Sequence, residues 1–111
     1  MFPQYSDIES PLLAELYTRG GSARPSTRNA DGLNVYEVLA RHFKLSHADL
    51  EETIYEKTGA PRSKWENMVR WVRNDLKKKG MLVMPSHGVW ALSPQARSII
   101  ENKIGLNQAH T

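Results

Sequence analysis

The side chains best suited to chemistry lie close together, between Arg62 and Lys79. Ser63, Lys64, Asn67, Arg70, Arg73, Asn74, Lys77 and Lys78 supply hydroxyl, amide, guanidinium and ammonium donors, with no cysteine and no histidine among them. At about 100 degrees per residue on a helix, Val69, Val72 and Leu76 fall within about 40 degrees of Trp65, with Met68 beside them. Ser63, Asn67, Arg70, Asn74, Lys77 and Lys78 fall on the opposite side. One side can be buried, and the other presents cations and hydrogen-bond donors to a partner. A major groove admits an α-helix, and its base edges accept these groups: Arg or Lys toward guanine, Asn toward adenine, Ser toward either. Residues near the helix start reach bases and later ones grip phosphate. Ser63, Lys64, Asn67 and Arg70 are therefore the candidate base readers, and Arg62, Arg73, Asn74, Lys77 and Lys78 the candidate phosphate contacts.

Charge is divided along the chain in the same sense. Residues 1–55 carry five Arg/Lys against eight Asp/Glu, or −3, whereas residues 56–111 carry ten against four, or +6. The basic half suits a polyanion. Other chemistries find little support. The chain lacks cysteine, so thiolate metal sites and disulfides are excluded and a reducing compartment is permitted. His42 and His47 are five residues apart, which does not put two ligands on one helical face. Glu101-Asn102-Lys103 has a spacing known from metal-dependent nucleases, but it sits in a helical pattern without a preceding strand that carries an aspartate. Gly20-Gly21 follows a helix rather than a strand and so makes no phosphate loop. No catalytic residue, metal or cofactor is expected. There is no signal-peptide pattern and no run of about 18 apolar residues, so the expectation is a cytoplasmic protein without a membrane partner.

The 111 residues suffice for a single domain, 1–111. Ser10-Pro11 reads as a helix start, with Leu12, Leu13, Leu16 and Tyr17 at helical spacing up to Gly20-Gly21. Residues 19–33, rich in Gly, Ser, Asn and Arg, read as a mobile surface loop. Val35, Val38, Leu39, His42 and Phe43 predict a helix over 34–44, with His42 partly buried. Ser46 caps a further helical piece running through Asp49, Leu50, Thr53 and Ile54, which the sequence Thr58-Gly59-Ala60-Pro61 breaks. The amphipathic helix spans 63–79 and Gly80 ends it. Met81–Met84 and Val89–Leu92 are β-prone runs around a Pro-Ser-His-Gly turn and predict a hairpin over 81–92. Ser93-Pro94 opens a closing helix over 94–104. Trp71 and Trp90 could serve as stacking platforms for an unpaired or modified base, but the reading preferred is that they pack the hairpin onto the amphipathic helix.

The fold expected from this order is mainly α with a small β-hairpin, a winged helix-turn-helix in which 63–79 is the recognition helix and 81–92 the wing. Ser86 and His87 at the hairpin tip then become candidate DNA contacts, and Arg24 and Arg28 candidates for a minor groove. Double-stranded DNA is the expected partner. The alternative is a protein-interaction or dimerisation module, in which the closing helix pairs with a second copy.

The sequence also resembles a known family. The segments Pro11-Leu12-Leu13, Gly20-Gly21, Val35-Tyr36-Glu37-Val38-Leu39, Phe43-Lys44-Leu45-Ser46, Trp65-Glu66-Asn67-Met68-Val69-Arg70-Trp71-Val72, Leu76-Lys77-Lys78-Lys79-Gly80-Met81-Leu82 and Gly88-Val89-Trp90-Ala91-Leu92-Ser93 look like the Mrr N-terminal domain. This is the winged-helix, DNA-binding module of modification-dependent restriction endonucleases of the Mrr type. The resemblance spans about residues 3–97. It implies DNA binding, with a restriction system as context and a nuclease domain or subunit as associate; sensing of modified bases is a refinement of that reading and asks for a pocket. It implies no cleavage by this chain.

Overall fold

A computed structural model describes residues 1–55 and 61–109. Ten elements follow in the order α1 (Tyr5–Thr18), β1 (Ser22–Ala23), α2 (Val35–His42), α3 (His47–Glu51), β2 (Thr53–Tyr55), β3 (Pro61–Ser63), α4 (Lys64–Lys78), β4 (Leu82–Val83), β5 (Trp90–Leu92) and α5 (Pro94–Ala109). Helices dominate, and the strands form two small antiparallel sheets, one of order β1-β5-β4 and one of β2 with β3.

The amphipathic stripe of α4 is the centre of the core. Trp65, Val69, Val72 and Leu76 are almost fully buried, and Met68 nearly so, against Ile8, Leu12 and Leu16 of α1 and Val35, Tyr36 and Leu39 of α2. The Trp65 indole N–H donates to the Tyr36 carbonyl oxygen at 2.8 Å, which settles the one polar atom that this side chain carries inside. Phe2 and Phe43 pack on the same indole. Ser63 caps α4, its hydroxyl accepting from the Glu66 N–H at 3.3 Å. Gly80, at φ 77°, ends the helix in the left-handed region, and Met81 N–H reaches back to the Leu76 carbonyl at 2.9 Å.

β5 joins β1, from the first part of the chain, to β4. Ser22 pairs with Ala91 and Ala23 with Trp90, while on the other edge Leu82 pairs with Leu92 and Val83 with Ala91. Trp90, Ala91 and Leu92 are all buried, so β5 is the central strand. Ser93 caps α5 by accepting from the Ala96 N–H at 3.1 Å.

Several sequence expectations are corrected. α1 begins at Tyr5 rather than near Ser10, and Pro11 lies inside it. Burying Ile8 in line with Leu12 and Leu16 draws the helix forward by a turn. The carbonyl of Asp7, which Pro11 leaves without a helical donor, belongs to an exposed residue that water can reach. The helical piece after Ser46 stops at Glu51, where Glu52 turns extended (φ −66°, ψ 132°) and Thr53–Tyr55 form a strand. The β-branched Thr53 and Ile54 suit a ladder better than a helix. Thr58, Gly59 and Ala60 of the expected break lie outside the described residues, and Pro61 sits in β3. α5 runs to Ala109 rather than ending at 104. His42 is exposed, its ring edge-on to Phe43 at 4.8 Å.

The 19–33 stretch contains β1 and carries more fixed structure than its composition suggests. Arg19 donates to Glu15 at 2.6 Å and to the carbonyls of Thr27 and Leu33 at 2.7 and 3.0 Å. The Asn29 side chain accepts from the N–H groups of Asp31 and Leu33.

Candidate nucleic-acid interface

α4 lies with one flank against β5 and the β4–β5 connection, and its polar face points outward. The structure distributes the expected site residues of α4 over four environments. At the start of α4, Ser63 is occupied as the helix cap, and Lys64 pairs with Glu52 at 3.4 Å while lying 4.8 Å from the Phe2 ring centre. Arg62, exposed on β3, pairs through its backbone with Ile54. In the middle, Asn67 is half-buried on the outward face. In the last turn, Lys77 and Lys78 are exposed, and neither has a carboxylate partner among the described residues. Lys79 is held by Glu9 at 2.8 Å.

Arg70 and Arg73 form the fourth environment. The Arg70 guanidinium lies 5.6 Å from the ring centre of Tyr36 and pairs with Glu66 at 3.5 Å. The Arg73 guanidinium lies 5.2 Å from the ring centre of Trp90 and donates to the Asn74 side-chain oxygen at 2.9 and 3.1 Å. Aromatic faces thus support both cations and hold them extended. Partial burial lowers the affinity of Arg73 for its proton without threatening its charge, since an arginine starts far above neutrality. Burial raises the pKa of the Tyr36 phenol, and Arg70 opposes that rise.

These two arginines line a cleft of about 360 Å³ between α4, the hairpin tip and the segment before α2, bounded also by Pro25, Ser26, Asn34, His87 and Gly88. Ser86 and His87 are exposed at the tip. The tip is fixed from below: Val89 N–H bonds the Ser86 carbonyl at 3.1 Å, and Arg24 donates to the His87 carbonyl at 3.0 Å. Gly88 adopts φ 77°, and a Cβ there would stand 3.1 Å from the Arg24 guanidinium. Arg24 therefore serves the hairpin. Arg28 is tied to Glu37 at 2.9 Å and to the Gly32 carbonyl. Both arginines expected at a minor groove are engaged within the chain.

Two residues in this region were assigned differently or missed by sequence reasoning. Tyr36 has no role in the sequence reading beyond the family-like segment that contains it, and its place under Arg70 depends on how α2 crosses α4, which no local pattern encodes. Trp71 was expected to pack against the hairpin, yet it is 51% exposed. The helical wheel already held this answer, since it puts Trp71 about 240 degrees from Trp65, among the polar residues. Trp90, by contrast, is buried as expected.

Among the described residues, no group of three or more His, Asp or Glu side chains could hold a metal ion, and no helix is long and apolar enough to cross a membrane. Compared with known proteins, residues 5–102 match the family model for the Mrr N-terminal domain. No curated protein and no solved structure matches the chain.

Proposed function

Starting from the fact that the chain belongs to the Mrr N-terminal domain family, we propose that it is a winged-helix module that binds double-stranded DNA. α4 enters the major groove, and the β4–β5 hairpin rests on the flanking backbone. The observation that carries this reading is the two-sided character of α4: one side is the centre of the core, and the other carries Asn67, Arg70, Asn74, Lys77 and Lys78 with Arg73 at its edge. Further support comes from the order α1, β1, α2, α4, β4, β5 with β5 between β1 and β4, in which a hairpin directly follows the helix to be inserted. Arg70 and Arg73, held out on aromatic faces beside His87, are suited to bridge a base edge and a phosphate.

Within this reading the family places the module in a restriction system. The chain selects the target, including targets with modified bases, and an associated nuclease domain or subunit cuts. The test is fluorescence anisotropy of labelled duplex pools, unmodified and methylated, at low and moderate salt. Salt-sensitive binding that the Asn67→Ala, Arg70→Ala double variant loses while keeping its fold supports the assignment. Equal binding by that variant sinks it.

A second reading, pairing with another copy, is favoured by one observation: a groove of about 520 Å³ between α1 and α5, lined by Leu13, Met81, Ile99, Ile100 and Ile104. Light scattering on the wild type and on Ile99→Lys separates a dimer from a monomer.

A further inference from the structure

We propose that Trp71 reads the C5-methyl group of thymine in the major groove, so that α4 recognises A·T pairs by an apolar contact as well as by its amides. This rests on the DNA-binding reading above and assigns to it a residue that the charged face alone would not suggest.

Trp71 is the one large apolar side chain of α4 that the fold leaves exposed among the described residues. Its surroundings do not form an apolar patch of the kind that docks a protein. Along the helix it stands one turn after Asn67 and one turn before Asn74 and Asp75, with Lys64 and Lys78 two turns away on the same side. An apolar plate between two amides, with the single carboxylate of Asp75 beside it and Lys78 beyond, fits a polar surface that carries isolated methyl groups. A major groove is such a surface: thymine is the one unmodified base that presents a methyl there, and the base paired with it, adenine, presents the edge that an Asn amide reads in bidentate fashion. Neighbours one turn apart on a helix stand about 5–6 Å from each other at Cβ, which spans one to two base-pair steps of about 3.4 Å. Asn67 and Trp71 can therefore address adenine and thymine of the same or adjoining pairs. Lys78, exposed and without a carboxylate partner among the described residues, is placed to hold the backbone beside the plate, whereas Lys64 is engaged by Glu52.

The chemistry is that of a pyrimidine C5-methyl, which thymine always carries and cytosine carries when methylated; the proposal commits to thymine, and the probes separate the two. The full chain is titrated by anisotropy against three duplex pools of the same design: one with thymine, one with deoxyuridine in its place, and one with 5-methylcytosine replacing cytosine. Loss of each contacted methyl should weaken binding about fourfold. Wild type should prefer the thymine pool over the deoxyuridine pool by at least that factor, Trp71→Ala should bind both alike, and Trp71→Phe should keep most of the preference. Because the side chain is exposed, Trp71→Ala should keep the wild-type circular dichroism. A gain on the 5-methylcytosine pool that Trp71→Ala loses extends the assignment to both methylated pyrimidines, and no gain confines it to thymine. If wild type binds the thymine and deoxyuridine pools equally, or Trp71→Ala still discriminates, the assignment to Trp71 is wrong while DNA binding stands. If wild type binds no pool at low salt, the DNA-binding reading fails and takes this one with it.

Discussion

Replacing Lys77 and Lys78 together by Gln should flatten the salt dependence of duplex binding by a calculable amount. Both ammonium groups are exposed in the last turn of α4 with no carboxylate partner among the described residues, whereas Lys79 beside them is already neutralised by Glu9. If Arg62, Arg73, Lys77 and Lys78 each meet one phosphate, the logarithm of the binding constant falls against the logarithm of salt with a slope of about −3.6, or about −0.9 per phosphate. Removing two cations leaves a slope of about −1.8. Over a roughly fourfold rise in salt, wild type then loses about 150-fold in affinity and the double variant about 12-fold. The assay is anisotropy of one labelled duplex across a salt series, with Lys79→Gln as the control that should leave the slope almost unchanged. A double variant with the wild-type slope would refute the placement of the last turn on DNA. A wild-type slope near zero would refute a phosphate interface altogether.

Three further outcomes follow from the fold. Arg19→Met removes one half of an ion pair whose side chains are only 9% and 12% exposed, and frees the Thr27 and Leu33 carbonyls, so it should cost about 3 kcal/mol in denaturant unfolding and speed amide exchange over 27–33. Asn34→Ala deletes the side-chain acceptor that caps α2 by bonding the Glu37 N–H at 2.9 Å, and should cost about 1 kcal/mol, read as a lower unfolding midpoint at unchanged denaturant sensitivity. Asp49 is held at a pKa of about 2, below its ordinary 3.8, first by the N-terminal ammonium at 2.9 Å and then by the Ser46 N–H. Because the folded value is the depressed one, its contribution is full above pH 3.8 and disappears as pH falls through about 2. A carboxyl NMR titration with its midpoint at 3.8 would contradict the contact.

Where local pattern and tertiary demand agreed, the elements were legible from the sequence. The α4 stripe, its Ser63 cap and its Gly80 stop are short-range features, and so are the Ser93 cap of α5 and the turn at Gly88. Where two local signals competed, burial decided. Pro11 argued for a helix start, but Ile8 had a core to fill. Leu50 and Ile54 have helical spacing, but Thr53–Tyr55 found a strand partner in β3, whose existence depends on residues beyond the break. β1 was illegible for a different reason: two residues among Gly, Ser and Arg become a strand because β5 offers an edge to pair with. In the candidate site, the outward cations and amides were readable from the wheel, whereas the seating of Arg70 on Tyr36 and Arg73 on Trp90 was not, because each joins side chains from separate elements. Trp71 was misassigned by weighing residue type over position.

The pairing of Ser22 with Ala91 also sets a schedule for the newborn chain. A ribosome delivers α1 and the first edge of the sheet well before the strand that completes them, since β1 lies ahead of α2, α3 and α4 and β5 lies after them. Until Leu92 is out, the carbonyl of Gly21 lacks the N–H it receives at 2.8 Å, and β1 has no ladder to join. Closing so long a loop is slow, so the domain should mature in one step only once β5 has emerged. Any shortened version that stops before β5 would forfeit the β1 edge and the hairpin together.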